Sequence, residues 1–236
     1  MNSEVKSKLE GVSVATLSTA LFKRGLRNQT IQDVRPVRPR GRNMVGPAFT
    51  LRYIPAREDL NTLDVFRDPD HPQRKGVETC PAGHVMVMDS RKDARAASAG
   101  DILVTRLQMR GVAGVVTDGG FRDAARIGEL EIPAYHNRPS PPTNLTLHQA
   151  IDLKVPIACG DVAVWPGDIV VGDDDAVIVV PAGIAAEIAA EAHEMTAYED
   201  FVVEQVRAGK SITGIYPATR QESLDAFAVW RKANGR

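Results

Sequence analysis

The sequence predicts an α/β fold, and three observations predict it. From about residue 84 to 137, short apolar runs bounded by Gly and Pro alternate with helically spaced segments: HVMVMDS, AGDILVTRLQMRG, VAGVVTDGG, RDAARIGEL and IPAYHN. That alternation is the pattern of βαβ units and an at least partly parallel sheet. Residues Ile157 to Pro181 read as short strands cut at WPGD and GDDDA, where Gly tolerates positive φ and Asp bonds its own backbone. From Gly183 to Gly209 the spacing is helical.

In chain order, Val14, Leu17, Leu21 and Phe22 define a first amphipathic helix over Val12 to Lys23, with Ser13 as N-cap and Gly25 as its stop. The Pro- and Arg-rich connection DVRPVRPRGRN follows, and then VGPAFTLRYIP, whose β-branched and aromatic residues predict a strand beginning after Gly46-Pro47. Residues Arg57 to Gln73 are too rich in Asp and Pro for core and read as a surface excursion with one short helix. Gly100-Asp101 opens a helix in which Ile102, Leu103, Leu107 and Met109 form the apolar pattern. Residues from Pro139 to Pro142 read as loop, Gly209 ends the long helix, and a last helix covers Gln221 to Lys232. The whole chain, 1–236, is expected to be one domain, with a core over about 12–209 and a helical tail over 210–236.

Composition narrows the function. The 236 residues are 43% hydrophobic and 25% charged, enough for a sizeable core. A formal charge of -1 without long runs of one sign gives no footprint for nucleic acid or an anionic membrane. The first 25 residues lack a signal-type apolar region, and no apolar run is long enough to span a bilayer, so the expected location is cytoplasmic. Cys80 and Cys159 have no CxxC spacing and read as small buried hydrophobes, not as zinc ligands or a disulfide.

The chemistry concentrates in two places. The helix start Gly100, Asp101, Ile102, Leu103 offers free backbone N–H groups and the positive end of a helix, which together favour a small carboxylate. The run GVAGVVTDGG then delivers Arg122 and Asp123 at a strand's carboxyl end, where ligands of open α/β sheets bind. Asp123 could hold a hard divalent cation such as Mg²⁺, and Arg122 could pair with a substrate oxygen through its planar fork. The competing reading is an ordinary Arg-Asp surface pair after a turn.

VAGVVTDGGFRD, preceded by GDILVTRLQMRG and followed by VWPGDIVVGDDDAVIVVP, resembles the RraA-like family, which includes 4-hydroxy-4-methyl-2-oxoglutarate aldolases and regulators of ribonuclease E activity. The resemblance runs from roughly Val12 to Gly209. It implies a compact α/β/α fold of the swivelling phosphohistidine-domain type with appended terminal helices, assembled as homotrimers or homohexamers. It also implies a metal-dependent lyase in which Arg122 contacts a pyruvyl group and Asp123 ligates Mg²⁺ or Mn²⁺. The helix start Gly100, Asp101, Ile102 and Leu103 would bind substrate, with the backbone N–H groups of Ile102 and Leu103 on its carboxylate, and Asp101 would act in catalysis by ordering a water on the metal. A further acid would come from a neighbouring subunit's C-terminal helix: Glu194, Glu199 or Asp200. The implied reaction is cleavage of a 4-hydroxy-2-oxo acid to pyruvate, with oxaloacetate decarboxylation on the side. The alternatives are a non-catalytic regulator of a ribonuclease or helicase partner, and a lyase or dehydratase for a 2-keto-3-deoxy sugar acid.

Other residues carry plainer readings. His136 lies just past a strand and could face a site, although a lone loop histidine is more often solvated or structural. Ser140 and His148 form no nucleophile setting. Asp173-Asp174-Asp175 lacks the spacing of a calcium loop and reads as a tight turn.

Overall fold

A computed structural model describes residues 1–236. In chain order its elements are helices α1 (Ser3–Glu10) and α2 (Val14–Phe22), strands β1 (Arg35–Pro36) and β2 (Met44–Pro55), helix α3 (Pro72–Thr79), strands β3 (Val85–Asp89) and β4 (Ala97–Ala99), helix α4 (Asp101–Met109), strands β5 (Gly114–Thr117) and β6 (Gly120–Phe121), helix α5 (Ala124–Glu129), strands β7 (Ala134–His136), β8 (Arg138–Pro139), β9 (His148–Leu153), β10 (Ile157–Cys159), β11 (Val162–Val164), β12 (Ile169–Gly172) and β13 (Val177–Val180), and helices α6 (Ala185–Arg207) and α7 (Gln221–Asn234).

The main sheet has eight strands in the order β1-β7-β5-β3-β2-β12-β13, with β9 also on β2. Its centre is parallel, from β2 through β3 and β5 to β7, and its flanks are antiparallel. The stretch before β2 closes the gap between the two edges: Ile31 and Gln29 bond β13, while Arg35 and Pro36 pair with β7. The result is a mixed α/β fold around a nearly closed sheet.

Strand periodicity decides what covers each face. Val45, Phe49, Leu51 and Tyr53 of β2 point to the helices, joining clusters built with α3, α4 and α5 at one end and with α1, α2 and α6 at the other. Met44 and Ala48 point the opposite way, into a cluster with Val85, Val87, Val170 and the β10–β11 hairpin. Helices therefore lie on one face and a hairpin fills the other, which differs from the expected helix-sheet-helix layering. The reason is curvature: a nearly closed sheet leaves no room inside for a helical layer.

Several local expectations change. Helix α1 is an additional helix, capped by Asn2, whose side chain accepts from the Val5 N–H at 2.8 Å. Strand β2 starts before Gly46-Pro47; Gly46 is required inside it because a Cβ there would meet the Gly83 carbonyl at 2.5 Å. Strand β9 falls between the Pro139–Pro142 loop and Ile157, where no element was expected. The polar excursion over residues 57–73 holds a 3-10 turn at Leu63–Arg67, yet Asn61, His71 and Gln73 are buried. On α4 the buried apolar positions are Val104 and Leu107, while Ile102 and Met109 are 78% and 71% exposed. No helix is long and apolar enough to cross a membrane.

Candidate active site

Each of the three inner parallel strands breaks at its carboxyl end and resumes as a short strand of a second sheet. Strand β3 leads to β4, β5 to β6 and β7 to β8, and these continuations form a parallel three-stranded sheet in the order β4-β6-β8. Helix α4 leaves the end of β4, and Arg122-Asp123 leaves the end of β6. Pairing of Ala99 with Phe121 therefore brings the helix start and the charged pair side by side.

The glycines of VTDGGFRD make that pairing possible. A Cβ on Gly119 would lie 2.7 Å from the Ser90 Cβ and the Ser98 Oγ, and one on Gly120 would lie 2.5 Å from the Ser140 Cβ. Beneath them the hydroxyls of Ser90, Ser98 and Thr117 form a buried chain, with Ser98–Thr117 at 2.5 Å and Ser90–Ser98 at 2.7 Å. The Thr117 Oγ1 accepts from the Gly119 N–H at 2.9 Å. Asp118 is buried and accepts from the N–H groups of Ser90, Lys92 and Gly160 at 2.7 to 3.0 Å, tying three loops together. Burial pushes its carboxyl up to about 6 against those donors. Asp118 is a structural anchor that sequence reasoning passed over, although the Asp-Gly-Gly run marks the place.

Asp123 has φ 57° and ψ 38°, a left-handed conformation that Asp tolerates better than most residues. It occupies the N-cap position of α5 without making a side-chain cap, so its carboxylate is left for the crevice. Its Oδ2 lies 3.5 Å from the Arg122 Nε, and both side chains are about half exposed. Across from them, a Cβ on Gly100 would lie 3.7 Å from the Arg122 Cβ and 3.8 Å from the Asp123 Oδ2, so any larger residue there would narrow the space between the two halves. Asp101 is nearly buried: its Oδ1 accepts from the Ile102 N–H at 2.9 Å and its Oδ2 lies 3.1 Å from Arg126. The anion on the Ile102 N–H is thus the chain's own carboxylate. The Leu103 N–H, in the same first turn, has no intrahelical acceptor to reach.

These residues line a crevice of about 380 Å³ in which Gly100, Asp101, Ile102, Leu103, Arg122 and Asp123 come together. Gln73, Arg74 and Asn144 form a further wall, at positions that no local sequence signal marks. The donor set suits a particular kind of cation. No group of three or more His, Cys, Asp or Glu side chains is gathered anywhere to hold a metal. One exposed carboxylate with a second beside it is what Mg²⁺ or Mn²⁺ accepts while keeping several waters, so the residues present fit such an ion.

The remaining candidates lie elsewhere. Glu194 pairs with Arg231 at 2.6 Å, Asp200 pairs with Arg236, and Glu199 accepts from the Thr16 Oγ1 at 2.7 Å; none of them lines the crevice of its own chain. His136 is buried outside the crevice, its ring stacked on Phe121 at 5.5 Å between centroids. Burial pushes its pKa down to about 4. His148 is also buried, bonded to the Asp93 carbonyl at 3.0 Å, and Ser140 is packed under Gly120. Asp173 makes the turn contacts, accepting from the Asp175 and Ala176 N–H groups, whereas Asp174 accepts from the N–H of the sequence-distant Arg40.

A family model described as RraA-like, aldolase/RraA, matches residues 14–179. Over 162 residues, 67% of this chain and 69% of the other, the chain is 31% identical to a protein of Halalkalibacterium halodurans provisionally named 4-hydroxy-4-methyl-2-oxoglutarate aldolase. The crystal structure of Streptomyces coelicolor RraAS2, described as an unusual member of the RNase ES inhibitor RraA protein family, is similar with a TM-score of 0.75 and 32% identity, over 85% of this chain and 96% of that one. An uncharacterized protein from Pseudomonas syringae shares the fold with a TM-score of 0.76 at 24% identity, over 92% of this chain and 98% of that one.

Proposed function

This chain belongs to the RraA-like family, and on that premise we propose that it is a divalent-metal-dependent lyase releasing pyruvate from a 4-hydroxy-2-oxo acid, with oxaloacetate decarboxylation as a side reaction. The observation that carries this reading is the placement of Arg122 and Asp123 against the α4 helix start across Gly100.

A Mg²⁺ or Mn²⁺ ion held by Asp123, with Asp101 beside it, would supply Lewis acidity toward the 2-oxo acid. The protein's own groups do the rest. The Leu103 N–H binds the substrate carboxylate, and the Ile102 N–H joins it when Asp101 turns away. Arg122 pairs with the keto oxygen, which gains negative charge as the bond between C3 and C4 breaks and its electron pair remains on the pyruvyl fragment. Asp101 orients the water that takes the C4 hydroxyl proton, and C4 leaves as a carbonyl. The same water then returns that proton to C3 of the enolate, giving pyruvate. Loss of CO₂ from oxaloacetate leaves the same enolate, so one site serves both reactions.

A regulator without chemistry is the second reading, favoured by the description of the Streptomyces relative as belonging to an RNase inhibitor family. Pyruvate release from a panel of 2-oxo acids, with EDTA and then with added Mg²⁺ or Mn²⁺, separates the two. The lyase reading expects both reactions to vanish with EDTA and return together, and oxalate, a planar mimic of the enolate, to inhibit more tightly than pyruvate. Absence of turnover at any metal concentration, with no oxalate binding, leaves the regulator.

A further inference from the structure

The wall of the crevice formed by α3 and the turn before β9 carries two side-chain amides that the proposed chemistry does not use. Gln73 is 2% exposed and Asn144 is 4% exposed. The Gln73 Nε2 donates to the Ser98 carbonyl at 2.7 Å and to the Tyr53 hydroxyl at 3.1 Å, which fixes the amide orientation. Its Oε1 is left as a buried acceptor without a partner. The Asn144 Oδ1 accepts from the Thr143 hydroxyl at 3.3 Å, and its Nδ2 is a buried donor without a partner. Leaving a buried polar group unpaired costs about 1–3 kcal/mol. The two residues that carry these groups of opposite sense line the same crevice as Arg122 and Asp123.

We infer that Gln73 and Asn144 form a second subsite that binds a hydroxyl on the part of the substrate beyond the pyruvyl unit, so that the substrate is a polyhydroxylated 2-oxo acid of the sugar-acid class. This inference deepens the lyase reading and rests on it. A hydroxyl both donates and accepts, so one bound against this wall offers the Gln73 Oε1 and the Asn144 Nδ2 the kind of partner each lacks. A carboxylate has no proton to give at neutral pH and leaves the Gln73 oxygen unpaired. A methyl group satisfies neither. Arg74, whose guanidinium stacks 4.4 Å from the Phe66 ring centroid, is the group in this wall that a carboxylate would seek, which makes a dicarboxylic acid the competing probe.

The test compares three acids that differ only beyond C4: 4,5-dihydroxy-2-oxopentanoate, 4-hydroxy-2-oxopentanoate and 4-hydroxy-2-oxoglutarate. Sites built to bond a substrate hydroxyl discriminate strongly against analogues lacking it, so kcat/KM for the dihydroxy acid should exceed that for the methyl acid by about 10²-fold or more. Asn144→Ala and Gln73→Met should each cut that preference about tenfold, with the melting temperature recording whether the variants remain folded. A preference for the dicarboxylic acid, or a ratio unchanged in folded Asn144→Ala, overturns the subsite. Oxaloacetate, which has no tail hydroxyl, reports separately on the lyase reading. If neither it nor the three acids turn over, that reading fails, and calorimetric affinities for the dihydroxy and methyl acids still decide the subsite by the same ratio.

Discussion

The N–H of Arg122 donates to the carbonyl of Ala99 at 3.0 Å, and this bond joins the strand end carrying the charged pair to the strand that launches α4. The charged pair and the helix start are therefore parts of one rigid element, set by backbone pairing and not by the long side chains themselves. Geometry held this way is costly to reproduce from surface residues, and it gives the two charged side chains separable tasks.

Arg122→Ala and Asp123→Ala should consequently differ in kind. Loss of one well-placed stabiliser lowers kcat by roughly 10²–10³. Asp123→Ala should also weaken Mn²⁺ binding in calorimetry, whereas Arg122→Ala should leave it intact and relieve the cation of a neighbouring positive charge. Near-parental turnover in both variants would move the site away from this crevice.

Gly119→Ala and Gly120→Ala should destabilise the protein without adding or removing any charge. The new methyl would meet the Ser90 Cβ at 2.7 Å in one case and the Ser140 Cβ at 2.5 Å in the other. Overpacking of this kind costs about 1–3 kcal/mol, readable as a lowered urea midpoint. An unchanged midpoint would mean that the β4-β6-β8 sheet yields to the added volume.

The parts of this site legible in the sequence were those fixed by local signals. The apolar run ending in Gly119-Gly120 and the Gly100-Asp101 helix start announce themselves within a few residues, as the Ser13 cap of α2 does elsewhere in the fold, and the crevice brings together the six residues at the first two. Gln73 and Asn144 were hidden because they sit in stretches that look like surface: one follows DPDHP, the other follows SPPT. Their burial comes from packing against β4, which is itself a run of small residues with no strand pattern. Ile102 and Met109 misled for a related reason, since an apolar side chain on an amphipathic helix need not face its own core.

The pH dependence of stability should carry a signature of His136. Its pKa falls from 6.5 in the unfolded chain to about 4 in the folded one, chiefly through burial. Between those values the unfolded state binds more protons, so this contribution is complete above pH 6.5 and is lost as pH falls toward 4, amounting to about 3 kcal/mol. Asp118, raised to about 6, acts with the opposite sign, its contribution being lost as pH rises through that range. Comparing the parent with His136→Phe, which keeps a ring against Phe121, cancels the Asp118 effect. The variant's stability relative to the parent should rise as pH is lowered from 6.5 to 4 in urea melts, and parallel curves would show that His136 is not buried as a neutral ring.

The last expectation concerns what completes the crevice. Ile102 and Leu63, 78% and 72% exposed, stand at its edge, and large apolar side chains grouped at a polar site suit coverage by another subunit. Glu194, Glu199 and Asp200 all lie on α6 and none reaches the crevice of its own chain, so an acid from this helix could act only on a neighbour's. Light scattering should give a mass that is a multiple of three chains. Subunit mixing then tests the acid directly. Asp123→Ala should be inactive, as should one of Glu194→Gln, Glu199→Gln or Asp200→Asn. Mixing that acid variant with Asp123→Ala under conditions of subunit exchange should restore activity, because a mixed interface can pair an intact Asp123 with an intact acid. A fully active monomer, or inactive mixtures despite proven exchange, would remove the shared acid from the mechanism and leave Asp101 to orient the water alone.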